Sequence, residues 1–408
     1  MADFPRGFKA CFLLGLAILS IGAECALPAA PSGLGRETIF DVTKYGAKPD
    51  GRKENSMAFI RAWNAACKSS GPARLLVPQG DFVSAEMILQ GPCTAAKPIT
   101  IEIKGNLLAS TDPSLFTSEG WITLDAIDGL VVTGGGTING RGEAAWKLMG
   151  SKNEGGPLLP VSLLYKKVTN AVMHHVNFVN SKGFHSKVTD SSNVAFSFIK
   201  ITAPGKSPNT DGCHISSSSN VNVTDSTIGT GDDCISVGQG TSNILIARIN
   251  CGPGHGISIG SLGKRPDEKD VKGVTVINCT LTGTTNGARI KTYHASPQIQ
   301  ASAIFYQDIV LNDVRNPIII DQHYNSKKTR EPSKVKISDV HFRNIRGTTV
   351  SKVPVLLNCS RTFPCEGIEL ADINLTPSAG IGQLTSACSN AKYILRGKQN
   401  PPGPTGCA

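Results

Sequence analysis

Three aspartates, a histidine and two cations recur at a near-constant interval in the middle of the chain. Asp211 stands in Asn209-Thr210-Asp211-Gly212, Asp232 and Asp233 in Gly231-Asp232-Asp233-Cys234, His255 in Gly254-His255-Gly256, and the cations in Arg289-Ile290-Lys291. Asp211 to Asp232 is 21 residues and Asp233 to His255 is 22, while Arg289 lies 34 beyond His255 across a polar loop from Lys264 to Lys272. Taken singly, Asp-Gly and Gly-Asp pairs are ordinary turn residues. Held together, like charges push one another's pKa upward, and one protonated carboxyl beside an ionised one is the equipment of glycoside hydrolysis. Arg289 and Lys291 suit a sugar that is itself a carboxylate, because guanidinium and ammonium groups clamp that anion. The glycines around His255 let backbone approach closely and leave its ring reachable.

Such a cluster needs a scaffold that repeats with the same interval. From about Val161 to Ile345 the chain is a series of short β-branched segments separated by Gly, Asn, Ser and Asp, with almost no helical periodicity. Asn followed by apolar residues recurs at Asn170, Asn193, Asn220 and Asn243, at intervals of 23, 27 and 23 residues. A sandwich gives no reason for so regular a spacing, whereas one coil of a parallel β-helix takes about that many residues. The expected fold is therefore all-β, a solenoid whose neighbouring coils lie ~4.8 Å apart and bring the acids onto one face. The repeated Asn reads as a structural ladder residue where the coil bends. In a regular strand Asp232 and Asp233 would point to opposite faces, so both serve one cleft only if the dipeptide sits in a bend. Ser56 to Lys68, with Phe59, Ala62, Trp63 and Ala66 at helical spacing, is expected to cap the N-terminal end.

The ends of the chain place it in a compartment. Arg6 and Lys9 precede an apolar run from Cys11 to Leu19, too short to span a bilayer, and the reading is a signal peptide over about residues 1–26 with a single domain over 27–408. Of twelve cysteines about ten belong to that domain, and close neighbours suggest the pairs Cys67–Cys93, Cys234–Cys251, Cys359–Cys365 and Cys388–Cys407. Partners for Cys213 and Cys279 stay open. Glycosylation triplets at Asn222, Asn278, Asn358 and Asn374 agree with secretion. A formal net charge of +10 favours a polyanionic partner, yet there is no Lys/Arg run and no nucleic-acid motif, so an acidic polysaccharide is expected and nucleic acid is not.

The segments NTDG, GDDC, GHGISIGS and RIK, in that order, resemble glycoside hydrolase family 28, and Cys251 to Gly263 is especially similar to its plant polygalacturonases. The continuation Asp267 to Val271 resembles the pollen-type exopolygalacturonases. The resemblance implies a right-handed parallel β-helix that hydrolyses α-1,4-galacturonosidic bonds of pectic polygalacturonate, from the chain end and with inversion, in cell wall modification. It implies Asp232 as general acid, Asp211 and Asp233 as the groups that hold and deprotonate the water, and His255 as the group tuning the acid. Arg289 and Lys291 would bind the galacturonate carboxylate, Asn209 would line the cleft and Tyr324 would contact the sugar. It implies no metal or other cofactor and a secreted monomer in the cell wall, with no membrane association once the signal is removed. Endo-acting hydrolysis, a calcium-dependent pectate lyase and an inactive wall-binding β-helix are the alternatives carried forward.

Overall fold

The computed structural model describes residues 36–147, 159–324 and 331–407. Arg36–Ala408 forms one compact unit. The signal segment and its boundary with the domain lie outside the described residues. Among the described residues no helix is long and apolar enough to cross a membrane.

Among the described residues every paired strand is parallel, and the strands fall into a smaller sheet of eleven and a larger sheet of twenty, as expected of a right-handed parallel β-helix. The smaller sheet runs in chain order, from Met87–Gln90 through Ser186–Thr189, Cys213–Ser216, Ile235–Val237, Ile257–Leu262 and Asn286–Tyr293 to Ser386–Ser389. Each coil contributes one strand to it, so equivalent positions of successive coils stack. Val188, Ile215, Val237, Ile259, Ile290, Ile320 and Leu357 form one inward column, and each is fully buried. Burying each such side chain stabilises the stack by about 1.5–3 kcal/mol. The outward column one residue earlier reads Leu164, Lys187, His214, Ser236, Ser258, Arg289 and Ile319.

The bends of the larger sheet explain the Asn repeat. Asn170, Asn193, Asn220 and Asn243 all adopt positive φ, between 55° and 59° apart from Asn220 at 54°. Each side-chain amide donates to the carbonyl oxygen of the Asn one coil before, at 3.0 Å in all three steps. Asn tolerates the left-handed region better than other non-glycine residues, and its side chain both donates and accepts, so it can be stacked on itself. The same left-handed position continues at Gly273, Ala303, Asp339 and Gly367.

The N-terminal end is covered by the predicted helix, α1 (Ser56–Cys67), which ends one residue before the expected Lys68. Its buried face carries Ala58, Phe59, Ala62, Trp63 and Ala66. The Trp63 indole donates to the Gln90 carbonyl at 3.0 Å, and Cys67–Cys93 ties the helix end to the first coils. All four expected disulfides form. Among the described residues Cys213 and Cys279 are free and buried.

Candidate active site

The acids hang from the loops that lead into the strands Cys213–Ser216 and Ile235–Val237. Gly231 and Asp232 form the bend that the dipeptide needs. Gly231 supplies closeness rather than an unusual φ, since a Cβ there would sit 2.0 Å from the Ser207 carbonyl oxygen. Gly256 has φ 84°, and its own added Cβ would lie 2.0 Å from the Asn286 carbonyl. No other residue type fits there. This tight stacking brings Asp232, Asp233 and His255 to within 4.8 Å of one another, taking one polar atom from each.

Their surroundings differ. Asp233 is fully buried; Ser258 Oγ donates to one of its oxygens at 2.8 Å and Lys291 Nζ to the other at 2.6 Å. Arg289 stands 3.8 Å from the same carboxylate. Asp211 is 5% exposed and accepts from Ser236 Oγ at 2.6 Å. Asp232 keeps 24% of its side chain exposed and pairs with His255 Nδ1 at 3.0 Å. It is the one carboxyl of the three that a bulky leaving group can reach.

The same environments set where a proton rests. Burial, followed by the charges of Asp232 and Asp233, drives the Asp211 carboxyl well above the usual carboxylate range. Burial also works to raise Asp232, but the hydrogen bond from His255 and the charge of Lys291 outweigh it and the net direction is down. The expectation that crowding raises every acid is therefore met at Asp211 and reversed at Asp232, because only Asp232 has His255 as a partner. Burial pulls Lys291 down while Asp233 and Asp232 pull it up; the carboxylates win and the group is an ammonium.

Seven of the eight residues singled out in the sequence converge. Tyr324 lies with its ring 5.3 Å from the Arg289 guanidinium carbon and 5.4 Å from Lys291 Nζ. Asn209 is exposed, with φ 52° and, among the described residues, no hydrogen-bond partner that ties it to the cluster. Lys291 departs from the simplest reading: its ammonium is spent on Asp233. Arg289 is the freer cation, and its buried Nε has no partner among the described residues.

Ser236, Ser258 and His214 escaped sequence reasoning. His214 Nδ1 lies 2.8 Å from Ser236 Oγ, which in turn bonds Asp211, so the three form one buried chain. Burial, then Lys187, Lys291 and Arg265, push His214 down to about 3, which keeps it neutral. The signal was present: Ile235-Ser236 and Ile257-Ser258 repeat at 22 residues, in the interval of the acids.

Asp232, Asp233 and His255 are the one described group close enough to hold a metal ion. Ser258 and Lys291 occupy both oxygens of Asp233, so a cation would have to displace the ammonium. The donor set does not favour one.

Clustered carboxylates with cations beside them, stacked along a parallel β-helix, define a carbohydrate-cleaving enzyme of the solenoid type. The model for Glycosyl hydrolases family 28 matches residues 67–400, and the chain belongs to that family. An exopolygalacturonase of Platanus acerifolia is 43% identical over 368 residues, 89% of this chain and 97% of that protein. A polygalacturonase of Nicotiana tabacum is 44% identical over 367 residues, 89% of this chain and 91% of that protein. The crystal structure of a hyperthermoactive exopolygalacturonase from Thermotoga maritima superposes with a TM-score of 0.74 at 20% identity, covering 89% of this chain and 92% of that one. That likeness supports the fold.

Proposed function

We propose that this enzyme hydrolyses the α-1,4-galacturonosidic bonds of polygalacturonate from the chain end, with Asp232 as the general acid. The observation that carries the reading is the placement of one reachable carboxyl, Asp232, above two buried ones, with Arg289 carrying unspent donors beside them. The leaving oxygen meets Asp232, while a water, being small, fits against Asp211 and Asp233. Burial favours the protonated form of Asp211, and the hydrogen bond with His255 sets how readily Asp232 delivers a proton. Arg289 and Tyr324 meet the substrate carboxylate and ring, Lys291 keeps Asp233 in place and reaches the same carboxylate, and Asn209 lines the rim. Inversion is taken from the family resemblance. Asp232 and Asp233 approach within 4.8 Å, closer than the ~6.5–9.5 Å usual between inverting carboxyls.

Chain-end cutting is supported by the relatives named exopolygalacturonase. Secretion to the cell wall after removal of the N-terminal segment is supported by that segment's sequence and by the four described disulfides, and glycosylation by the Asn triplets. The deciding measurement is the product profile from polygalacturonate. Monogalacturonate alone at early times, unchanged by a chelator and free of ultraviolet-absorbing unsaturated ends, is expected. Early oligomers would mean internal cutting, calcium-dependent unsaturated products a lyase, and no reducing ends an inactive wall protein.

A further inference from the structure

The smaller sheet is not equally exposed along the stack. On the side before the acids, the strands Gly120–Asp125 and Val161–Lys166 are buried on both faces, whereas Ser186–Thr189 alternates as a half-exposed strand does. Leu163 and Tyr165 point into the core, which turns Leu164 outward, in the column of Lys187 and His214. Yet Leu164 is only 2% exposed. An apolar side chain in an outward position needs a cover.

The segment Ser110–Glu119 runs directly into the strand beside the one that carries Leu164. At its base, Glu86 accepts from the Thr117 and Ser118 backbone N–H groups at 2.7 and 2.9 Å. On either side of that base, two lysines of a later coil hold it. Lys182 Nζ lies 4.5 Å from the centre of the Phe116 ring, and Lys187 is ion-paired with Glu119. Glu119 precedes the strand Gly120–Asp125 while Lys187 sits in Ser186–Thr189, two strands on, so the pair bridges the intervening strand that carries Leu164. Lys182 is nearly fully buried and gives one hydrogen bond to the Gly140 carbonyl at 2.7 Å. Its contact with Phe116 is therefore a fixed point rather than a passing surface encounter.

Building on the chain-end reading above, we propose that Ser110–Glu119 is a strap that ends the cleft one strand before the acids. The covered position is Leu164; the next is Lys187; the next is His214, in the strand that Asp211 leads into. Lys187, held by Glu119 of the strap and only 15% exposed, is the last walled position, so the wall stands one strand spacing of ~4.8 Å, about one sugar ring, before His214 and the coil that Asp211 leads into. A single terminal residue then fits on that side of the scissile bond, and an interior stretch of polymer does not.

Phe116→Ala combined with Glu119→Gln cuts both ties without touching an acid or a substrate-binding cation. Digestion of polygalacturonate by the double variant is expected to raise the early ratio of oligomers to monogalacturonate by about tenfold, at a total bond-breaking rate within a few-fold of wild type. Lys187→Gln, which cuts one tie from the opposite side, should move the ratio the same way by less. Monogalacturonate as the sole early product of all these variants would overturn the strap. Early oligomers from the wild type would overturn the chain-end reading instead. Should the double variant fail to fold, Glu119→Gln alone decides, since that side chain is 47% exposed in its pair; an unchanged ratio there counts against the proposal.

Discussion

Two corners of the same coil stack like residues on like, with opposite results. At the Asn corner, each amide donates to the one before and accepts from the one after, so repetition satisfies every member. At the acid corner, successive coils bring Asp211 beside Asp232 and Asp233, and a carboxylate cannot satisfy another carboxylate. The protein neutralises that corner with groups drawn from elsewhere: Ser236 and Ser258 from the outward column, His255 from the following coil, and Lys291 from the coil after it. A solenoid amplifies whatever it stacks. Self-complementary residues become a spine, and like charges become a reservoir of electrostatic work.

The largest effect that would test this contrast is on catalysis. Asp232→Asn keeps the shape and removes the reachable proton carrier, and kcat should fall by roughly 10²–10⁴-fold with the melting temperature held or raised. Retained turnover would transfer the acid role elsewhere. Next, Lys291→Met leaves Asp233 buried without its counter-ion, which should destabilise the fold by about 3–5 kcal/mol in chemical denaturation. Adding Asp233→Asn to that variant should recover most of the stability and none of the activity. If the pair is merely a surface-like contact, the single change will cost under about 1 kcal/mol.

At the other corner, Asn193→Ala removes one hydrogen bond upward and one downward and places Ala at φ 56°. A loss of about 2 kcal/mol with kcat unchanged is expected, and Asn193→Gly should lose less because glycine accepts that φ. A fall in kcat would show that the two corners are not independent.

The smallest effect is on pH dependence. Asp211 has a folded-state pKa raised by burial, so its contribution to stability is full below the unfolded value and is lost as pH rises through the folded one. Asp211→Asn removes that loss. The inactive variant should melt higher than wild type at neutral pH, with the gap closing as the pH falls toward 4. A constant gap would mean that Asp211 carries no such penalty.

Coil spacing, the capping helix, the disulfides and the acid cluster were legible because each rests on a repeated or paired residue type. The left-handed corner was legible only while Asn filled it; beyond Asn243 the same backbone position holds Gly273, Ala303 and Asp339, and no residue type announces it. The Lys291–Asp233 pair joins residues 58 apart. Sequence placed both in one cleft but could not tell which anion, protein or substrate, the ammonium would choose in the resting state. The serines went unnoticed because a short polar residue in a strand ordinarily signals solvent, and here it signals a buried carboxylate.

The final coil is the thinnest part of the stack. Ser386–Ser389 is half-exposed throughout, and Ala391–Asn400 shows most of its residues to solvent, with Cys388–Cys407 pinning the tail across it. A one-dimensional array melts from its weaker terminus, and neighbour-only contacts let the remainder stand. Fraying on warming or proteolysis should therefore begin at that tail and advance inward coil by coil. The catalytic coils, lying mid-array, would be among the last to feel it, so activity should outlast the first loss of structure.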